Sequence, residues 1–284
     1  MADLVPTSWA DLHEKMYHQA WDDNLARFRS QVAYRGMDDA DYPLSTSLMR
    51  LGGNYALLER HLLRNFRKYA CRNMGLRDSL WNWIALAQHH GLPTRLLDWT
   101  FSPYVALHFA TTDLTQFDRD GVIWCVNYVR AKTLLPRTLS RLLAEEGANV
   151  FTVDLIEQSV GTLRDFDRLS KEPFVIFLEP PSLDDRLVNQ WALFSALSNP
   201  GLAFDGFLER HPDFFHRVII PAKLKWEIRD KLDQANITER VLFPGLDGLC
   251  AWLRRQYSPK RVAQPPAPPC KPARKRAPGK SRKA

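Results

Sequence analysis

Apolar and polar positions alternate along the chain with a period that keeps changing, and the changes lack the regular strand-helix-strand rhythm of a doubly wound parallel sheet. Ser8, with Asp11 three positions on, marks the start of an opening helix. A short strand over 31–35 leads into Gly36 and an acidic turn from Asp38 to Asp41. Tyr55, Leu58, Leu62, Phe66 and Tyr69 then recur at helical spacing, with Glu59, Arg60, Arg64, Arg67 and Lys68 on the rest of the surface. This predicts an amphipathic helix whose basic face is solvated. A second helix over 80–90 carries Trp81, Trp83, Ile84, Leu86 and Ala87, and Gly91 with Pro93 ends it. Residues 94–100 read as extended, Ser102 is a natural N-cap, Pro103 suits the first helical position, and 104–110 continues as a buried helix. Further strands are expected at 122–128, 174–178, 192–197 and 217–220, with a closing helix over 247–257. The sum is an α+β fold, a mixed or antiparallel sheet core with several flanking helices, in one domain over 1–257.

Composition narrows the class without changing that picture. The 284 residues are 45% hydrophobic and 25% charged, as in an ordinary globular domain. The best apolar runs, 174–178 and 218–221, are far shorter than a membrane span, so no membrane partner is expected. The first 21 residues include acids and no apolar stretch of secretory type, which makes the cytoplasm the expected compartment. The net charge of +7 is local: nine of the 39 basic residues and none of the 32 acids lie beyond Tyr257, leaving the rest of the chain slightly acidic. This Pro/Lys/Arg-rich tail, 258–284, has almost no large apolar residue and is expected to be disordered. It reads either as a solubilising linker or as an arm that binds DNA or RNA by counterion release. The four cysteines are far apart, the eight histidines form no HExxH, and neither GxGxxG nor GxxxxGK occurs. Classical zinc-hydrolase, Rossmann and P-loop readings fall away, and no metal is expected.

Two clusters set polar groups among residues that should be buried. In Tyr34-Arg35-Gly36, glycine permits a turn or the close approach of a ligand, and arginine offers a planar fork for phosphate or carboxylate. An ion pair from Arg35 to Asp38 or Asp98 is the structural alternative. The second cluster runs from Gln88 to Pro103. Arg95 and Asp98 are opposite charges in an apolar setting and are expected to pair with each other or with another site residue. His89 and His90 are adjacent on a helix, so at most one faces a given pocket, and a structural or capping role is favoured for both.

With these residues in view, the chain resembles the FRG domain, named for a Phe-Arg-Gly motif that Tyr34-Arg35-Gly36 varies only in its aromatic ring. The resemblance rests mainly on Trp83 to Thr100, then Ser102-Pro103 and Ala106 to Ala110, with later pieces at Arg186 and Gln190 ahead of Phe194 and at 242–249, and it spans roughly 30–253. More distantly the chain is similar to ADP-ribosyltransferases of the Arg-Ser-Glu type, in which an aromatic-Arg-Gly strand, a Ser-Thr-Ser strand leading into a helix and a strand with a catalytic Glu follow in order. Here Gln190 stands in the third position and Glu179 is the nearest acid, and neither reproduces the Gln-x-Glu or Glu-x-Glu signature.

That resemblance implies NAD as co-substrate, with no metal, and an ADP-ribosyltransferase-like sheet core. Arg35 would hold the diphosphate, the Gly36 backbone the nicotinamide amide, and Thr100 and Ser102 the ribose. Tyr34 or Trp99 would stack on a ring, Arg95 and Asp98 would complete the pocket, and Gln190 or Glu179 would stand at the reacting centre. A glutamine there would orient ribose hydroxyls without supplying negative charge, so turnover would be slow or absent. The family resemblance further implies ADP-ribose transfer to a macromolecule, with nucleic acid as the acceptor suggested by the tail, in a bacterial toxin or phage-defence effector with an antitoxin as partner. The alternative is a non-catalytic FRG module that binds a nucleotide or a nucleic-acid end.

Overall fold

A computed structural model describes residues 3–70, 78–182 and 184–260. In it, β1 (Trp21–Asp22) and β2 (Arg27–Phe28) form a small hairpin. One sheet holds β3 (Val32–Met37), β4 (Leu96–Thr100), β5 (Gly121–Asn127), β6 (Phe151–Thr152), β7 (Val175–Glu179), β8 (Ala192–Leu197) and β9 (Phe215–Ile220). Its strand order is β6-β7-β8-β4-β3-β5-β9, antiparallel throughout except for the parallel β6–β7 pair. Helices flank this mixed sheet, as an α+β chain requires.

Period-two alternation along the strands sorts side chains onto two faces. Ala33, Leu97, Trp99, Trp124, Phe177 and Leu193 share one continuous core that runs across both halves of the sheet. The opposite face is divided. Leu96, Ile176, Leu178, Phe194 and Ala196 pack with Trp81 and Ile84 from the helix Leu80–His89. Val32, Tyr34, Ile123, Cys125, Val218 and Ile220 pack instead with Ala106 and Leu107 from the helix Pro103–Phe109 and with Leu224 and Ile228 from the helix Ala222–Gln234.

The division coincides with a seam in the hydrogen-bond ladder. β3 and β5 are in register over six residue pairs and β4 and β8 over five, but β3 and β4 meet at one, Tyr34 opposite Thr100. Beyond that pair the two strands part, and a cleft opens between the two half-cores.

Local signals placed most of the elements correctly. Ser8 caps the helix Trp9–Met16 by accepting from the Asp11 amide at 3.2 Å. Gly91 ends the helix Leu80–His89 at a φ of 79°, its amide donating to the Gln88 carbonyl while the Leu92 amide donates to that of Ala87. The helix Tyr55–Ala70 forms as its spacing predicts, yet its faces are not those expected. Leu58 and Tyr69 are exposed, whereas Glu59 is buried. The reason is a distant cation, described below. The hairpin and the helices Arg137–Glu146, Leu163–Arg168 and Ala222–Gln234 had no counterpart in the sequence reading. The expected tail lies, from residue 261 on, outside the described residues, as do Cys71 and Cys270.

The carboxy-terminal helix, Leu246–Gln256, is fastened by charge. Arg255 donates to Glu239 at 2.6 and 2.8 Å and to Asp233 at 2.6 Å, and both Arg255 and Glu239 are buried. Arg229 lies alongside, wholly buried, donating to His108 Nδ1 at 2.9 Å and to the Ile237 carbonyl at 3.1 Å. Gly248 lets this helix approach its predecessor, since a Cβ there would fall 1.9 Å from the Phe243 carbonyl oxygen.

Candidate functional site

Where β3 and β4 separate, a cavity of about 240 Å³ is walled by Tyr34, Arg35 and Gly36 on one side and Asp98, Trp99 and Thr100 on the other. Gln88 and His89 close it from the helix Leu80–His89, and Arg186 and Gln190 from the helix Asp185–Asn189 and its C-cap. The aromatic-Arg-Gly strand end and the Asp-Trp-Thr strand therefore open onto one space.

Arg35 is the chemically exposed member of this set. One guanidinium nitrogen donates to the Asp98 backbone carbonyl at 2.6 Å, standing in for a ladder bond that the diverging strands no longer make. Its Nε is buried with no hydrogen-bond partner. Neither Asp38 nor Asp98 pairs with it through a carboxylate: Asp38 accepts from the Thr112 and Asp113 amides, and Asp98 accepts from Gln88 Nε2 at 2.9 Å. Burial works against the Arg35 charge, opposed by the nearby Asp98 and aggravated by Arg50, so its pKa is drawn down. Arginine stays protonated all the same, and an incompletely satisfied guanidinium at a cavity wall is a ready partner for an anion.

Gly36 has a different reason to be glycine than the expected turn or ligand approach. A Cβ at this position would lie 1.8 Å from the Ala106 carbonyl oxygen and 2.8 Å from the Ala110 amide. The helix Pro103–Phe109 lies directly against the strand here, and only glycine permits it.

Several expected site residues have their side chains committed elsewhere. Trp99 lines the cavity, but its indole donates to Ser195 Oγ at 2.8 Å and packs on Phe177 and Phe204 in the opposite core. Tyr34 is fully buried, its hydroxyl engaged with Ser30 at 2.8 Å and the Met16 carbonyl at 3.3 Å, and burial pushes its pKa up. Ser102 does not line the cavity; it caps the helix Pro103–Phe109 by accepting from the Val105 amide at 3.3 Å. Thr100 donates to the Gln190 carbonyl at 2.7 Å and accepts from the Ser102 amide, tying β4 to the end of the helix Asp185–Asn189.

Arg95 departs furthest from expectation. It is 4% exposed, outside the cavity, and paired not with Asp98 but with Glu59, at 2.6 to 2.9 Å, and with Asp167. Burial disfavours its charge, and the two carboxylates more than offset this, raising its pKa. The same contact accounts for the buried Glu59 on an otherwise apolar helix face.

Gln190 is in the cleft. Its Nε2 donates to the Leu242 carbonyl at 2.9 Å, which leaves its Oε1 without a hydrogen-bond partner among the described residues. Glu179 ends β7 in a neighbouring cavity of about 230 Å³ with Phe101 and Trp191; Leu187 and Ala192 line both spaces. Partial burial raises the Glu179 pKa. Trp191, between these two spaces, has a φ of 45° and is 61% exposed, an uncommon conformation for a bulky side chain.

Three cavity residues had not been assigned a binding role from sequence. Gln88 accepts from Thr94 Oγ1 at 2.6 Å and donates to Asp98, orienting the carboxylate. His89 Nε2 contacts the Asp184 carboxylate at 2.5 Å, and Asp184 in turn caps the helix that carries Arg186. Arg186 itself has its guanidinium 5.0 Å from the Phe243 ring and no carboxylate partner among the described residues. Its place ahead of Gln190 and Phe194 was the available signal. Among the described residues, the cavity thus gathers two guanidinium groups against the one carboxylate of Asp98. No group of three or more His, Cys, Asp or Glu side chains suited to a metal occurs among the described residues.

No curated protein and no solved structure matches the chain. Residues 30–119, from the start of β3 through β4 and the helix Pro103–Phe109, match the family model of the FRG domain. The cleft residues beyond that stretch, Arg186 and Gln190 among them, lie outside the match. No helix among the described residues is long and apolar enough to cross a membrane. The strand end and the Gln88-to-Thr100 segment that build the cleft lie within the stretch that matches the FRG domain.

Proposed function

We propose that the cleft binds NAD and that the protein is ADP-ribosyltransferase-like. The observation that carries this reading is Arg35: half-buried, without a carboxylate partner among the described residues, and with an unsatisfied Nε at the cavity wall. Arg35 and Arg186 hold the diphosphate, whose two negative charges match two guanidinium forks. In this reading the Gly36 backbone pairs with the nicotinamide amide, and Gln190 Oε1 with ribose hydroxyls. The cleft and the neighbouring Glu179 cavity, about 240 and 230 Å³, together reach the range of about 300–1,000 Å³ typical of small-molecule sites, so a dinucleotide would extend across both.

In the reaction, the bond from ribose C1′ to the nicotinamide nitrogen breaks, nicotinamide leaves with the electron pair, and an acceptor nucleophile attacks C1′ and gives up its proton. Glu179 is the carboxylate available to stabilise the positive charge on the ribose. A nucleic-acid acceptor follows from the basic tail, and a toxin or phage-defence role with an antitoxin is the biological form that the family resemblance suggests. The test is nicotinamide release from labelled NAD, with and without nucleic acid. Wild-type release that falls at least tenfold in Arg35→Ala and in Glu179→Gln supports the transferase.

One observation favours a second reading. Gln190 is neutral, and Glu179 stands in the adjoining cavity rather than in the cleft. NAD or another nucleotide bound without nicotinamide release, and lost in Arg35→Ala, identifies a non-catalytic nucleotide-binding module.

A further inference from the structure

The basic face of the helix Tyr55–Ala70, read from sequence as solvated surface, is one wall of a groove. Arg60, Arg64 and Arg67 form a stripe along it, Arg164 faces them from the helix Leu163–Arg168, and the space between is about 520 Å³. Leu63 and Leu80 contribute apolar surface.

The charges in the groove are unbalanced. Arg67 is answered by Asp78 at 2.5 Å and lies 5.8 Å from the Trp83 ring. Asp78 also accepts from Trp83 Nε1 at 2.8 Å through the same oxygen, Oδ1. Glu157 is the other acid lining the groove among the described residues, and one of its carboxylate oxygens is buried without a hydrogen-bond partner. Arg60, Arg64 and Arg164 are exposed and have no ion-pair partner among the described residues. Among the described residues lining the groove, four guanidinium groups therefore face two carboxylates. This is no sampling of a generally basic surface, because up to Tyr257 the chain carries slightly more acids than bases.

We infer that this groove binds the phosphodiester backbone of a nucleic-acid strand. Guanidinium forks pair bidentately with phosphate. Positions four apart on a helix rise by about 6 Å, close to the separation of successive phosphates on an extended strand. The apolar strip between the cations suits sugar carbons. The nine basic residues and no acid of the segment beyond Tyr257 add attraction of the same sign without defining a site. The inference stands apart from the NAD reading, since it uses none of the cleft residues.

The experiment titrates a short fluorescent oligothymidylate into the full-length chain at several salt concentrations, using wild type, the double variant Arg60→Glu/Arg64→Glu, and Arg35→Ala. The double variant is expected to bind at least tenfold more weakly, with the slope of log affinity against log salt reduced by about 1.4, the value for two lost phosphate contacts on a single strand. Its urea midpoint should match wild type, because both side chains are exposed, and Arg60→Gln/Arg64→Gln should show a smaller loss. Arg35→Ala should bind the oligonucleotide like wild type. Absence of wild-type binding at low salt, or unchanged affinity and slope in the double variant, overturns the inference. So does poly-glutamate competing as well as oligothymidylate at equal charge, which would assign the groove to acidic proteins.

Discussion

Arg35 lies on β3 and Arg95 immediately before the neighbouring strand β4, both in motif positions, and they have opposite fates. Arg95 is enclosed and saturated, with Glu59 and Asp167 filling its fork. Arg35 opens onto a cavity, makes one bond to a backbone carbonyl and leaves Nε unsatisfied. The difference separates an arginine that holds the fold together from one that is free to hold something else. It also shows that motif membership alone does not distinguish the two roles.

The largest effect is expected on the closed side. Arg95→Ala strands two carboxylates, Glu59 among them buried, and should cost about 3–5 kcal/mol in a urea melt. A loss below about 1 kcal/mol would erase the contrast, since an exposed pair costs no more than that. Gly36→Ala should follow, at about 1–3 kcal/mol or more, because its methyl group meets a helix carbonyl that cannot rotate away. Wild-type stability in that variant would mean the helix does not approach β3 as described.

The His108 network gives a pH dependence of defined sign. Burial, and then Arg229, holds the His108 pKa down to about 3, while burial and His18 hold that of His216 at about 4. The unfolded chain takes up these protons near the ordinary histidine value of about 6.5, before the native state can. Stability present at neutral pH is therefore lost as pH falls below about 6.5, at up to about 1.4 kcal/mol per pH unit for each histidine until its native pKa is reached. Glu239, held at about 2 by Arg255 and Arg229 against the effect of burial, adds a loss of the same sign below about 4.5. Urea midpoints between pH 7 and pH 4 should show this decline, and His108→Gln should flatten it by about half. An equally steep decline in that variant would place the acid sensitivity elsewhere.

The two arginines also measure how much could be read from sequence. Caps and stops are local chemistry, so Ser8, Gly91, and Ser102 with Pro103 marked helix ends to within a residue or two. The strand around Arg35 and the Asp-Trp-Thr strand were legible as elements, and so was their arginine and acid content. Partner choice was not. The carboxylates that claim Arg95 lie 36 and 72 positions away, and the one buried acid of the Tyr55–Ala70 helix had no signal apart from that pairing. Nor does any pattern in β3 or β4 announce that they pair at one position and then part, which is what creates the cleft. Gly36 was read for its freedom, but the helix backbone that requires it comes from a separate element.

The smallest effect on stability and the largest on binding should fall on the same residue. Arg35→Ala should shift the urea midpoint by less than about 1 kcal/mol in free energy, since it removes one hydrogen bond from a half-buried side chain. The direct test is calorimetric titration of NAD into wild type and Arg35→Ala, each with its urea melt. Binding by wild type, with affinity at least tenfold lower in a variant of near-native stability, is the predicted outcome; a variant that binds NAD like wild type but has lost several kcal/mol of stability would make Arg35 a second Arg95 and contradict the account.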